Sequence, residues 1–241
     1  MSLRERYADV LGYAAPIALG LLVAFVGLAP WVVMVRLNAT IRPDIPWAAL
    51  ATLVWLGLFI AWLNGAGPPF RWKAARHYRL RLWRPDSAGW SKDGIATTLS
   101  LMALIALLGF LWILLGSEPP PDLSEYRSTI FPVSIVLVGP LVAGVVEEAA
   151  YRGYMQRGLE RFGAGTAIVV SALAFALAHG VHGLETLVFL GPGIFIAGLL
   201  YGLLAYHSGS ILPGMIVHFL SDLAYTYFGL LGGDWRLLIV A

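Results

Sequence analysis

Glu147 and Glu148 stand side by side near the end of an apolar run that starts at Phe131, and Arg152 follows four residues after Glu148. Three more ionisable groups sit in equally apolar surroundings. His179 closes AFALAHG, and His218 and Asp222 lie in GMIVHFLSD. An ionisable group at the centre of a membrane helix costs about 2.5–3.5 kcal/mol on insertion scales, so such groups are candidates for function by default. Carboxylates and imidazoles together can move protons to and from water and can stabilise a developing negative charge. The chain has no Cys, which excludes a thiolate nucleophile, thiolate metal ligands and disulfides.

The spacing sharpens this chemistry. Glu148 and Arg152 are four apart with Glu first, the better order for a helical ion pair. Arg152 is therefore expected to neutralise and orient Glu148. Glu147 lies about 100° away around the helix and is left for chemistry, as a general base towards water. Gly163-Ala164-Gly165 marks a turn between two helices. Glu147 precedes Gly163 by 16 residues and His179 follows it by 16. Both then sit ~24 Å from the turn, so a carboxylate and an imidazole can meet at equal depth across a helical hairpin. His218 and Asp222 share one helix face, and so do Phe175 and His179. Each pair alone also has a structural explanation, as an ion pair or a register-fixing hydrogen bond. Their joint occurrence on three helices is the stronger signal.

These groups need apolar elements to carry them. The chain has 241 residues, 59% of them hydrophobic and 12% charged, against roughly 25% charged in an ordinary soluble domain. Mean hydropathy is +0.78. Seven apolar segments follow one another at roughly 9–35, 46–64, 96–116, 130–150, 165–181, 185–206 and 210–231, with an eighth helix if one of them breaks. The expected fold is all-α, a polytopic membrane protein of seven to eight helices forming one domain over 1–241. Within it, 1–129 carries spans without obvious chemistry, and 130–231 carries every candidate site residue. Pro16 and Pro30 predict tilt or a kink in the first segment. The linker 65–94 is rich in Lys and Arg, and the linker after 116 is acidic and Pro-rich. This asymmetry predicts a cytoplasmic N-terminus, with anionic lipid as the partner of the basic linker. Net charge is only +2, which gives no footprint for nucleic acid.

The quoted residues resemble the CaaX protease and bacteriocin-processing family, also called Abi, which includes the type II CaaX prenyl endopeptidases. The family pattern of two Glu and an Arg reads here as Glu147-Glu148-AAY-Arg152. Its Phe and His read as Phe175-ALA-His179, and its third motif as His218-FLS-Asp222. The stretch LLYGLLAYHSGSILPGMIVHFLSDL is also similar to the family. The resemblance covers roughly 130–230. It implies an intramembrane endopeptidase in which Glu147, helped by His179, activates the hydrolytic water. His218 and Asp222 would stabilise the oxyanion, and Glu148, Arg152 and Phe175 would support them. An ionised Asp222 cannot donate a hydrogen bond. It would then orient His218 or bind a cation, whereas a protonated Asp222 could donate directly.

A divalent metal such as zinc is compatible with these ligand types, and Glu147, His179 and His218 would be its ligands. No HExxH motif is present, and direct activation of water by glutamate is the preferred expectation. A different class of function is a non-proteolytic scaffold or immunity-type protein that keeps the fold. Gly198 and Gly202, four apart, would then allow close packing with a partner subunit or, alternatively, within the chain. A proton-coupled transporter fits less well, because no internal repeat is present. The expected location is the bacterial cytoplasmic membrane, with a membrane-associated protein or peptide as substrate.

Overall fold

The computed structural model describes residues 3–42, 45–63, 91–115 and 133–231. Most of the basic linker and all of the acidic one fall outside these. Among the described residues the chain is helical, with no strand. The helices are α1 (Leu3–Ile41), α2 (Trp47–Leu63), α3 (Lys92–Leu115), α4 (133–162), α5 (Ala164–Ala178), α6 (Leu184–Phe189), α7 (Gly191–Ser208) and α8 (Leu212–Leu231). The seven apolar segments thus become eight helices. The sixth segment is the one that divides, at Leu190, where Gly191 and Pro192 start a new helix. Pro suits a first turn, because its missing N–H needs no partner there.

Leu11–Ile41, Lys92–Ile113 and Ala164–Val181 are each long and apolar enough to cross a membrane, and Trp47–Leu63 is a shorter apolar helix. Leu53, Val54 and Leu58 of α2 and Leu104, Leu107 and Phe110 of α3 remain exposed, a surface that suits lipid rather than water. The protein is an integral membrane protein. Helix α1 passes through both prolines without ending.

α4 changes character along its length. It is α-helical over Gly139–Glu147, π-helical over Glu148–Gln156, and closes with a short α-helical piece and a 3₁₀ turn. Every residue of the Glu148–Gln156 stretch is buried. One side of α4 packs on α1 and α2, in a core that includes Val23, Leu56, Phe59, Val146 and Met155. Trp55 ties those two helices together by donating its indole N–H to the Gly27 carbonyl at 3.1 Å. Asn38 closes their connection. Its amide donates to the carbonyls of Arg42 and Ile45, and its oxygen accepts from the Ala48 N–H. The other side of α4 faces α5, α7 and α8. α3 covers α7 and α8 from outside, through Ile105 against Tyr201, Leu204 and Val217.

Two turns set the approach of the site helices. Gly163, at φ 109°, links α4 to α5 at the expected turn. Gly209, at φ 64°, ends α7, and the buried Ser208 and Ser210 flank it. A side chain at either position would be strained. Ser210 Oγ then accepts from the Leu212 N–H and starts α8.

Candidate active site

The site is assembled from α4, α5, α7 and α8. Its centre is Glu148, which is fully buried. Arg152 donates Nη1–H to Glu148 Oε1 at 2.9 Å, one helical turn away. The second nitrogen, Nη2, donates to the Gly198 carbonyl of α7 at 3.2 Å. His218, arriving from α8, places Nδ1 3.0 Å from the same Glu148 Oε1. That geometry fixes a proton. Oε1 already accepts from a guanidinium that can only donate, so Nδ1 of His218 carries the hydrogen. The other ring nitrogen, Nε2, then points towards Glu147 Oε2 at 3.8 Å and Asp222 Oδ2 at 3.5 Å.

Exposure separates the carboxylates. The Glu148 side chain is 0% exposed, that of Glu147 is 14% and that of Asp222 is 38%. Glu148 is thus the anchored group, while the more exposed Glu147 and Asp222 face Nε2 of the buried His218. An uncompensated charge at the Glu148 depth would be costly, and Arg152 with its own carbonyl acceptor supplies the compensation.

His179 ends α5. Its Nδ1 lies 2.8 Å from the Phe175 carbonyl, so in the neutral ring Nδ1 carries the hydrogen and Nε2 is the accepting nitrogen. The Phe175 ring stands between the two imidazoles, edge-on to His179 at 4.9 Å and to His218 at 5.9 Å. The α5 imidazole thus shares the Phe175 ring with His218, and Glu147 Oε2 lies 3.8 Å from His218 Nε2.

The π-helical stretch is stapled to both neighbours. Ser171 of α5 donates to the Tyr151 carbonyl at 2.7 Å. Gln156 donates to the Gly202 carbonyl of α7 at 2.9 Å. Glu148, Arg152 and Gln156 thus form one row, four residues apart, of which only the first two members are picked out by the charge pattern. Gln156 was open to the same spacing argument. Tyr201, whose ring stacks on His218, had no such signal.

Gly198 and Gly202 face inward. A Cβ at Gly198 would lie 3.0 Å from Ala172 Cβ, and one at Gly202 would lie 2.9 Å from Gln156 Oε1 and 3.0 Å from Ile168. Of the two uses open to this pair, packing within the chain is the one observed. His207 is exposed beside Tyr206, away from this cluster. Among the described residues no group of three or more His, Asp or Glu is arranged to hold a metal ion. The candidate ligands Glu147, His179 and His218 form no such group.

Residues 129–224 match the family described as type II CAAX prenyl endopeptidase, Rce1-like. The match covers the same part of the chain as the three motifs and includes every residue of the cluster. No curated protein and no solved structure shows a significant match.

Proposed function

We propose that this chain, Rce1-like over residues 129–224, is an intramembrane endopeptidase that hydrolyses a peptide bond of a membrane-associated protein or peptide with water activated by Glu147. The observation that carries the reading is the division between the two adjacent carboxylates. Arg152 and His218 both donate to Glu148 Oε1, whereas the Glu147 side chain is 14% exposed and sets Oε2 3.8 Å from His218 Nε2. A structural ion pair alone would have no use for the second carboxylate.

In this mechanism Glu147 takes a proton from water as its oxygen attacks the scissile carbonyl carbon. His179, accepting through Nε2, assists. The carbonyl oxygen becomes the oxyanion. His218 in its imidazolium form keeps Nδ1–H on Glu148 and gives Nε2–H to that oxyanion. Asp222, facing Nε2, orients the ring and balances its charge, a role that needs no donor from the carboxylate. Collapse of the intermediate breaks the C–N bond, and the proton held by Glu147 passes to the leaving amine. General acid–base catalysis of this kind contributes about 10²–10⁴-fold, and a preorganised oxyanion donor about 10²–10³-fold. No step is routed through a metal.

We place the protein in the bacterial cytoplasmic membrane, and the charge asymmetry of the linkers supports an N-terminus in the cytoplasm. The substrate class remains membrane-associated polypeptide, and a prenylated tail is one form of it.

The test compares new peptide termini in membranes holding equal amounts of wild type, Glu147→Gln or His179→Ala. Termini produced by wild type and missing from both variants support the endopeptidase and name its substrate. Identical termini in all three, with the variants still sustaining whatever phenotype deletion abolishes, would favour the scaffold.

A further inference from the structure

We propose that Tyr201 is a positioning residue, whose ring face sets the plane of His218 and so the aim of its Nε2. The hydrogen bond from Nδ1 to Glu148 fixes one atom of the imidazole. By itself it leaves the ring able to swing about that contact. Three rings remove the freedom. Tyr201 of α7 stacks almost parallel on His218, with centroids 4.8 Å apart and an interplanar angle of 15°. Phe175 meets the same imidazole edge-on, at 5.9 Å and 89°. Tyr151 in turn meets Phe175 at 5.2 Å and 72°.

Tyr201 also touches the other donor of the anchor. The Arg152 guanidinium lies over the Tyr201 ring at 5.1 Å and over Phe175 at 4.5 Å. One tyrosine ring therefore contacts both side chains that donate to Glu148 Oε1. Its negative π-face suits both of them, a guanidinium always and an imidazole whenever it is protonated. The tyrosine is held in turn. It is 4% exposed, and Ile105 of α3 belongs to the same apolar cluster. A ring used for packing alone would tolerate any apolar replacement of similar volume. A platform needs a flat ring.

The kinetic half of the test rests on the endopeptidase reading, and the spectroscopic half does not. Protein labelled with ¹⁵N-histidine is reconstituted in lipid bilayers, and the His218 ring nitrogens are assigned by loss of their signals in His218→Gln. Wild type and Tyr201→Phe should each show one His218 form with the hydrogen on Nδ1. Tyr201→Leu should show several forms or exchange broadening. With the substrate found by the terminus comparison, Tyr201→Leu should lower kcat about 10- to 100-fold, as expected for a displaced catalytic group. Its KM should hold, and Tyr201→Phe should restore the rate. If Tyr201→Leu does not fold, Tyr201→Met supplies a ringless side chain that fills irregular space. An unaltered His218 signal in the ringless variants overturns the proposal, and so does a Phe variant as impaired as they are. Should wild type cleave nothing, the endopeptidase reading fails, and the nitrogen signals alone decide the role of Tyr201.

Discussion

Glu148 Oε1 accepts from two side chains at once, Arg152 at 2.9 Å and His218 at 3.0 Å. This shared atom couples stability to chemistry. Arg152→Ala leaves a buried carboxylate without its cation and should cost about 3–5 kcal/mol of stability. The double change Glu148→Leu with Arg152→Met removes both charges and should recover much of that loss. Unfolding in a denaturing detergent series measures this, and no activity should return in the double variant, because His218 has lost its acceptor. A double variant as unstable as Arg152→Ala would show that the pair is not the source of the cost. Direct activation by Glu147 also predicts that exhaustive chelation leaves turnover unchanged, and recovery of a lost rate by added zinc would oppose it. Half of this arrangement was legible beforehand. Glu148–Arg152 is a local helical spacing. The His218–Glu148 contact joins residues 70 apart in the chain, and no periodicity encodes which carboxylate a distant imidazole will choose. The approach of Glu147 Oε2 to His218 Nε2, at 3.8 Å, is equally a contact between distant helices.

At the scale of elements, the site depends on close helix approaches more than on charge. Without water to drive burial between membrane helices, packing and interhelical hydrogen bonds hold them. A Cβ at Gly214 on α8 would lie 2.7 Å from Glu148 Oε2. Gly214→Ala should therefore push that carboxylate away from His218 and lower kcat more than thermal stability. Equal kcat in Gly214→Ala and wild type would show that Glu148 can move without consequence. Gly198→Val tests the neighbouring contact. Its Cβ meets Ala172 at 3.0 Å, and overpacking of this kind costs about 1–3 kcal/mol, read as a lower melting temperature. The hairpin turn at Gly163 and the turn at Gly209 were legible as glycines between apolar runs. The division of the sixth segment was partly so, because Gly191-Pro192-Gly193 sits inside it. The π-helical register of Glu148–Gln156 was not. It spans ordinary helix formers, and the partners that satisfy it, Ser171 and the carbonyls of Gly198 and Gly202, come from other helices.

For the whole molecule, the division of the chain by composition has a physical counterpart. α1 and α2 contribute no ionisable group to the described cluster and instead wall off α4, packing on its apolar side chains such as Met155 and Val146. α3 performs the same service behind α7 and α8. The four remaining long helices each supply part of the site, with Glu147, Glu148 and Arg152 on α4, His179 at the end of α5, Tyr201 on α7, and His218 and Asp222 on α8. The central claim is that Glu147 handles the water while its neighbour is structural. The most direct measurement is single-turnover cleavage of the identified substrate by the purified protein in lipid vesicles, comparing wild type, Glu147→Gln and Asp222→Asn. Glu147→Gln should fold normally, bind substrate and cleave about 10²–10⁴-fold more slowly. Asp222→Asn should keep substantial activity, because an amide can still orient the His218 ring. Wild-type cleavage by Glu147→Gln would contradict the account.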